Sequence, residues 1–441
     1  MIIQSFWSKP FLKNSNHPNA RFKAGWLDEK YFYYSIALSC LKFKEHYSEI
    51  TLYTDQHGKK VLGDILNLPY TEIHTTLDDL DNYNSNLWAL PKLHTYSLQK
   101  QPFIHVDTDV FIWEKFPESK VNSPIFCQNI EDNYPIYQET LDAILKIFDF
   151  VPTEIVNSLY QNKKVLAFNA GVIGGNDLKF YKNLYSKALE MIHKNEHLFP
   201  KIDVGMFNMI FEQLLGHALA SKNGIGISPL LENVDPNFAK LTNFHLAGFQ
   251  TNYVHAIGYA KKSLHACEQI EALLMYEYPE VYKDITQKGL ENSLWEKRFE
   301  ISERRKEYLF TVYDYFRTHD INTLYNTKFK LNPTVKISEK DEISFLEFNS
   351  PQINEIEILE LQDWENLVFY FEEAISTNEL CKQLLEDEDI KQTYTESQLQ
   401  EKVFSFILDK CILQEILIPE IFNDTNYTKL ILSQNLTNSV S

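Results

Sequence analysis

Cysteine is scarce in this 441-residue sequence: the five present, Cys40, Cys127, Cys267, Cys381 and Cys411, are scattered and never form a C-x-x-C pair. That spacing excludes a zinc knuckle and a disulfide framework, and it points to a reducing, cytoplasmic compartment. Basic charge is also short. Lys and Arg number 42 against 61 Asp and Glu, a formal charge of −19. A nucleic-acid binder needs a basic face for the phosphate backbone, so no nucleic-acid partner is expected. No apolar run reaches the eighteen or so residues that a membrane-spanning helix requires. Ser5 and Lys9 come too early for the apolar core of a signal peptide. The chain has no internal repeat and no low-complexity block.

What is present can fold. Hydrophobic residues make up 44% of the chain, with 25 Tyr and 30 Phe, and the length calls for two domains or one large domain with an appendage. Up to about residue 260, strand-like and helix-like segments alternate, the pattern of an α/β sandwich. Ile2 to Trp7 and Ile50 to Tyr53 read as strands. Asp28 is placed to cap a helix whose Tyr33, Ile36, Ala37, Cys40 and Leu41 share one stripe. Pro91 suits a first helical turn ahead of Lys92 to Gln99. Further helices are expected over Asp177 to Lys194 and Val204 to Ala220. The expected organisation is a ligand-binding α/β domain over 1–263, a charged helical connector over 264–331, a small α+β domain over 332–422, and a polar tail over 423–441. In the small domain, Ser376-x-x-Glu379 and Thr395-x-x-Gln398 are capping boxes that start two helices.

Three segments carry chemistry. In Phe103-Ile104-His105-Val106-Asp107-Thr108-Asp109-Val110-Phe111-Ile112, two acids interrupt an apolar strand. Residues i and i+2 of an extended chain point to the same side, so Asp107 and Asp109 converge. Two carboxylates that close repel, and a divalent cation relieves the repulsion; hard oxygen ligands suit Mg²⁺ or Mn²⁺. Read alone, the segment is equally a solvated turn. The second is Ala167-Phe168-Asn169-Ala170-Gly171-Val172-Ile173-Gly174-Gly175. Its small residues admit a ligand to the backbone, and Asn169 offers a donor and an acceptor to sugar hydroxyls. Read alone, it is a tight turn. The third is His255-Ala256-Ile257-Gly258-Tyr259-Ala260-Lys261. An imidazole can complete a shell begun by two carboxylates, and a lysine can neutralise a leaving diphosphate. Two further candidates are Asp55, at the end of an early strand where α/β sheets place ligands, and Lys92, on the helix leading to the acidic strand.

In order and wording these segments resemble the A-type glycosyltransferase fold, and within it the glycogenin-like family that includes lipopolysaccharide galactosyltransferases. The matching motifs are D-x-D (Asp107-Thr108-Asp109), N-A-G-V (Asn169 to Val172) and H-x-x-G-x-x-K (His255 to Lys261). The resemblance covers roughly residues 1–262. It implies a Rossmann-like mixed sheet with helices on both faces, metal ligation by Asp107, Asp109 and His255, phosphate contact by Lys261 and sugar contact by Asn169. It also implies a nucleotide-diphosphate sugar donor, UDP-linked, and transfer with retention to an acceptor hydroxyl. The chain departs from the family in two places. The acidic D-Q-D-x-x-N segment is reduced to Asp203-Val204-Gly205-Met206-Phe207-Asn208, leaving Asp203 as the candidate general base. Lys262-Ser263 replaces the Pro-Trp that follows the family's lysine. His245-Leu246-Ala247-Gly248 competes for the ligand role but has Thr251 where the lysine belongs.

Residues Ile343 to Ile418 loosely resemble the winged-helix recognition elements of enzymes that modify ribosomal peptides. That resemblance implies a precursor-peptide acceptor, as against an acceptor glycan or a purely structural domain. Two rival readings stand beside the transferase. A haloacid-dehalogenase-like phosphatase also places D-x-D after a strand, but near the start of its domain and with Thr or Val where Phe111 stands. A nucleotide-sugar fold that has lost catalysis and binds a peptide is the non-enzyme alternative.

Overall fold

The apolar strands and amphipathic helices read from the sequence assemble as alternating α/β structure. The computed structural model describes residues 1–13, 25–26, 29–162, 164–232, 234, 238, 241–242, 244, 247–248, 251–292, 294, 311–312, 314–340, 343–350, 355–361, 363–412 and 415–422. Asp28 and the alternative ligand His245 lie outside the described residues. The chain divides into two compact units: Met1–Phe238 with Tyr253–His255 and Val281–Glu296, and Ala239–Asn252 with Ala256–Glu280 and Lys297–Ser441.

In the first unit the strands, in chain order, are β1 (Ile2–Phe6), β2 (Ile50–Thr54), β3 (Glu72–His74), β4 (Phe103–Val106), β5 (Val110–Ile112), β6 (Ile125–Cys127), β7 (Ile130–Asp132), β8 (Leu166–Phe168), β9 (Val172–Gly175), β10 (Ile227–Pro229) and β11 (Tyr253–His255). Seven of them form one sheet in the order β10-β6-β9-β4-β1-β2-β3. Pairing is parallel except on both sides of β9, which runs against β4 and β6. The architecture is therefore mixed α/β with a mainly parallel sheet, the class that buries both faces. Every residue of β2, β4, β6 and β9 is buried, as two-sided coverage requires. Because β9 is reversed, its first residues meet the carboxyl ends of β4 and β6 at one edge of the sheet. Asp107, Gln128 and Gly171 thereby share that edge.

The helix Glu29–His46 buries far more than the stripe read from the sequence; thirteen of its residues, Ser35 and Ser39 among them, are inside. These two serines, one turn apart, donate to the carbonyls of Thr108 (3.0 Å) and Val110 (2.7 Å). A turn between buried strands leaves carbonyls that need donors, and the serines supply them. The helix expected over Val204 to Ala220 is present but interrupted. It runs α over Val204–Met209, π over Ile210–Leu214 and α again over Leu215–Lys222.

The second unit holds β12 (Lys328–Leu331), β13 (Lys336–Lys340), β14 (Ile343–Ser350), β15 (Glu355–Glu360), β16 (Ile375–Ser376) and β17 (Leu417–Pro419). They form a β16-β12-β17 antiparallel sheet and a β13-β14-β15 meander. Both capping boxes form, at the helices Thr377–Leu384 and Glu396–Phe406. Leu380, Leu384, Leu399, Val403 and Phe404 turn one face of each helix into a core of their own.

His217, on the last segment of the interrupted helix, packs edge-on against Phe168 with ring centroids 5.7 Å apart. Burial lowers its pKa from 6.5 to about 4. The folded state thus resists a proton that the unfolded state accepts, so stability is lost as pH falls from about 6.5 toward 4. His217→Leu is expected to remove about 2 kcal/mol of that acid-induced loss. Urea unfolding midpoints at neutral and acid pH, compared between the two proteins, measure it.

Candidate metal centre

The edge where β4 ends carries the site. Asp107 leaves β4, its amide donating to the Gly171 carbonyl (2.9 Å), and the Val110 amide closes the turn on the Asp107 carbonyl (3.2 Å). Asp109 sits just before β5. Antiparallel pairing with β11 sets His255 opposite Val110. An imidazole distant in sequence therefore arrives beside Asp109, its Nε2 3.5 Å from Oδ1. Asp109 and His255 are buried at 3% exposure each, while the Asp107 side chain is 27% exposed. One ligand atom from each of Asp107, Asp109 and His255 lies within 4.8 Å of the others. The acidic strand and the third motif meet as expected.

The imidazole is oriented from behind. The Gln128 side-chain oxygen lies 2.7 Å from His255 Nδ1 and also accepts from the Tyr253 hydroxyl (2.5 Å), while its amide nitrogen donates to Asn129 Oδ1 (3.0 Å). An amide oxygen only accepts, so Nδ1 carries a proton and Nε2 is the ring nitrogen turned toward Asp109. Nε2 is therefore the atom that would meet a cation beside Asp109, and a hydrogen bond at the far nitrogen is the usual means of fixing a ligating histidine. Two carboxylates and one imidazole are a donor set that could hold a divalent cation.

A second charged group adjoins the first. Lys92, from the helix Leu90–Ser97, is buried and reaches Asp107 Oδ1 (3.1 Å) and Oδ2 (3.2 Å), Glu212 Oε1 (3.0 Å) and the Ala170 carbonyl (3.2 Å). Burial alone would lower its pKa, but the charges of Asp107 and Glu212 outweigh it and hold the ammonium above its ordinary range. Burial raises Asp107, with Lys92 opposing and Asp109 adding. Burial likewise lifts Glu212 to about 7 against the pull of Lys92. His105, on β4, is held neutral well below its usual range by burial and by Lys92; its Nδ1 lies 3.8 Å from Asp107 and its Nε2 2.9 Å from Ser5 Oγ.

Asn169 is engaged within the protein at both ends of its amide. Its nitrogen donates to Glu131 (2.7 Å), which also accepts from the Tyr137 hydroxyl (2.5 Å), and its oxygen accepts from the Gly171 amide (3.0 Å). Burial raises the Glu131 pKa against these bonds. Asn169 thus shapes the turn that lies under His255. Asp55 accepts from the Ser8 amide (2.7 Å) and hydroxyl (2.8 Å) and the Gly58 amide (2.7 Å), tying the ends of β1 and β2 together. Asp203 is exposed and caps the helix Val204–Met209 through the Met206 amide (3.2 Å). Lys261 belongs to the second unit, in the 3₁₀ turn Gly258–Lys262. Sequence reasoning passed over Gln128, Glu131 and Glu212. Glu212 carried a signal: an acid among Ile210, Phe211, Leu214 and Leu215 on the buried side of a helix.

Residues 1–288 match the model of a family described as a family of unknown function, DUF6734. No curated protein matches the chain. Solved structures do resemble it, among them the following two. One is the galactosyltransferase LgtC in complex with donor and acceptor sugar analogs, at 11% identity over 65% of this chain and 95% of that one, with a TM-score of 0.32. The other is mouse xyloside xylosyltransferase 1 in its apo form, at 12% identity over 49% and 82%, with a TM-score of 0.27. Likeness at these scores fixes neither fold nor activity.

Gly171 has no room for a side chain: a Cβ there would lie 2.6 Å from His255 Nδ1 and 2.8 Å from Gln128 Oε1. Gly171→Ala should therefore push the imidazole off Gln128 and cost about 1–3 kcal/mol in urea unfolding. Unchanged stability would show that the ring is not packed against this turn.

Proposed function

The chain belongs to this family of unknown function, and from its site we propose that it is a metal-dependent glycosyltransferase that moves a sugar from a nucleotide-diphosphate donor to an acceptor hydroxyl. One observation carries the reading: Asp107, Asp109 and His255 converge at the carboxyl edge of a mainly parallel sheet, where α/β folds bind ligands. The order of the three motifs, with their resemblance to A-type glycosyltransferases, supports it.

On this reading Asp107, Asp109 and His255 hold one Mn²⁺ or Mg²⁺, which supplies Lewis-acid stabilisation to a leaving diphosphate. Gln128 keeps the His255 lone pair turned toward the two carboxylates. Lys92 holds the Asp107 carboxylate by both oxygens. Gly171 lets the imidazole pack directly on its backbone, and the Asn169 turn is the wall against which the sugar is read. Asp55 and Lys261 are proposed for the nucleoside and diphosphate ends of the donor, and Asp203 for the acceptor proton. A UDP-linked donor and retention of configuration follow from the family resemblance alone.

A further part of the reading, a winged-helix-like element that takes a peptide acceptor, rests on the sequence resemblance of Ile343 to Ile418 alone. The five cysteines are all buried, and their scatter along the chain fits a reducing compartment. Among the described residues no helix is long and apolar enough to cross a membrane.

A nucleotide-sugar screen decides between enzyme and inactive scaffold. UDP-sugars with Mn²⁺ are expected to stabilise the protein by about 2–3 kcal/mol at a hundredfold excess over Kd. UDP-sugar hydrolysis should require the metal and fall by about 100-fold or more in Asp109→Ala. Stabilisation without hydrolysis of any donor would leave the scaffold; neither effect would sink the metal-site reading.

A further inference from the structure

Lys92 is tied directly to Asp107, with the neutral His105 on the same carboxylate. Its ammonium has three protons, and three groups surround it: the Asp107 carboxylate, Glu212 Oε1 and the Ala170 carbonyl. Glu212 is 1% exposed. It also accepts from Tyr96 Oη at 3.3 Å through Oε1, while Oε2 has no hydrogen-bond partner. A buried carboxylate with an orphan oxygen is costly. It stands, moreover, in the π turn Ile210–Leu214, and single π turns within α-helices gather at functional sites. Gln213, the next residue, accepts from Tyr137 (3.2 Å), whose hydroxyl also bonds Glu131. The turn thus sends two consecutive side chains toward tyrosines that back the site.

We propose that Glu212 is a positioning residue that sets the cation affinity of the Asp107–Asp109–His255 centre by drawing the charge of Lys92 away from Asp107. The inference rests on the metal-site reading and deepens it. With Asp107, Asp109 and Glu212 ionised and Lys92 protonated, the charge is three negatives against one positive, so a divalent ion leaves the buried group neutral. Neutralise Glu212 and the full charge of Lys92 falls on Asp107, where it competes with the cation. Neutralise Lys92 as well and the balance returns. Glu212 titrates near 7, so the count holds on the alkaline side of that value.

The test is calorimetric titration of the full chain with Mn²⁺ alone, at about pH 8, above the Glu212 range. Glu212→Gln is expected to weaken Mn²⁺ binding by about tenfold or more, the effect of one unit charge near a divalent ion at an effective dielectric between protein and water. Lys92→Met should bind as tightly as the unsubstituted protein or more so. The double variant Lys92→Met/Glu212→Gln, with its charge restored, should return to within about threefold. It carries the test should Glu212→Gln fail to fold. Equal affinity in Glu212→Gln, or a double variant as weak as that single one, overturns the role of Glu212 and leaves the metal site standing. No Mn²⁺ binding by the unsubstituted protein removes both.

Discussion

The site depends on holding like charges together in a place where water is scarce. Asp107 and Asp109 stand at the two ends of the turn between two buried strands, and Glu212 enters from a helix nearby. Coulomb repulsion among them grows as the local dielectric falls, so the fold must provide a compensating charge. It provides Lys92, tied to two of these acids at once. The remaining imbalance is what a divalent ion would offset on the proposed reading. Around that constraint the other parts fall into place: the reversed β9 that brings Gly171 and Asn169 to the edge, the Ser35 and Ser39 hydroxyls that fix the turn, and the β5–β11 pairing that delivers His255.

That pairing also explains why one histidine serves. Its register puts His255 opposite Val110, next to Asp109. Gln128 then selects the tautomer, since an amide oxygen can meet Nδ1 only as an acceptor. Gly171 is the complement of this arrangement. The ring and the glutamine amide occupy the space where a Cβ would be, so the N-A-G-V segment owes its glycine to the histidine rather than to a strained backbone.

Much of this was legible in the sequence, and the reasons are local. The apolar run Phe103 to Ile112 announced a strand broken by acids, but Asp107 to Asp109 form a turn between β4 and β5 and not extended chain, so the two acids converge through the turn and not by sharing a strand face. The capping boxes at Ser376 and Thr395 announced their helices, because the bonds that define them span three residues. What could not be read is tertiary. Nothing local to Gln128 says that β6 ends behind an imidazole, and nothing in Asn169 says that Glu131 occupies its amide nitrogen. The stripe on the Glu29–His46 helix was too narrow a reading, since packing on the acidic turn buries its serines along with its apolar face. The interruption at Ile210–Leu214 was also invisible, because its residues are ordinary helix formers and only their surroundings turn Glu212 toward Lys92.

The charge of the whole chain bears on the proposed chemistry. A diphosphate approaching a protein with a formal charge of −19 meets repulsion at long range, screened beyond roughly 8–10 Å in physiological salt. Close in, Lys92 already serves the protein's own acids, so its charge does not extend outward to a phosphate. On the proposed reading, attraction for such a donor must then come mainly from the bound cation. On the proposed reading this makes metal dependence a matter of binding as well as of catalysis: without the ion, the acidic edge repels the molecule it is built to receive. The same acids that make the apo site unwelcoming to a nucleotide sugar are the ones that make it selective for a donor arriving with its metal.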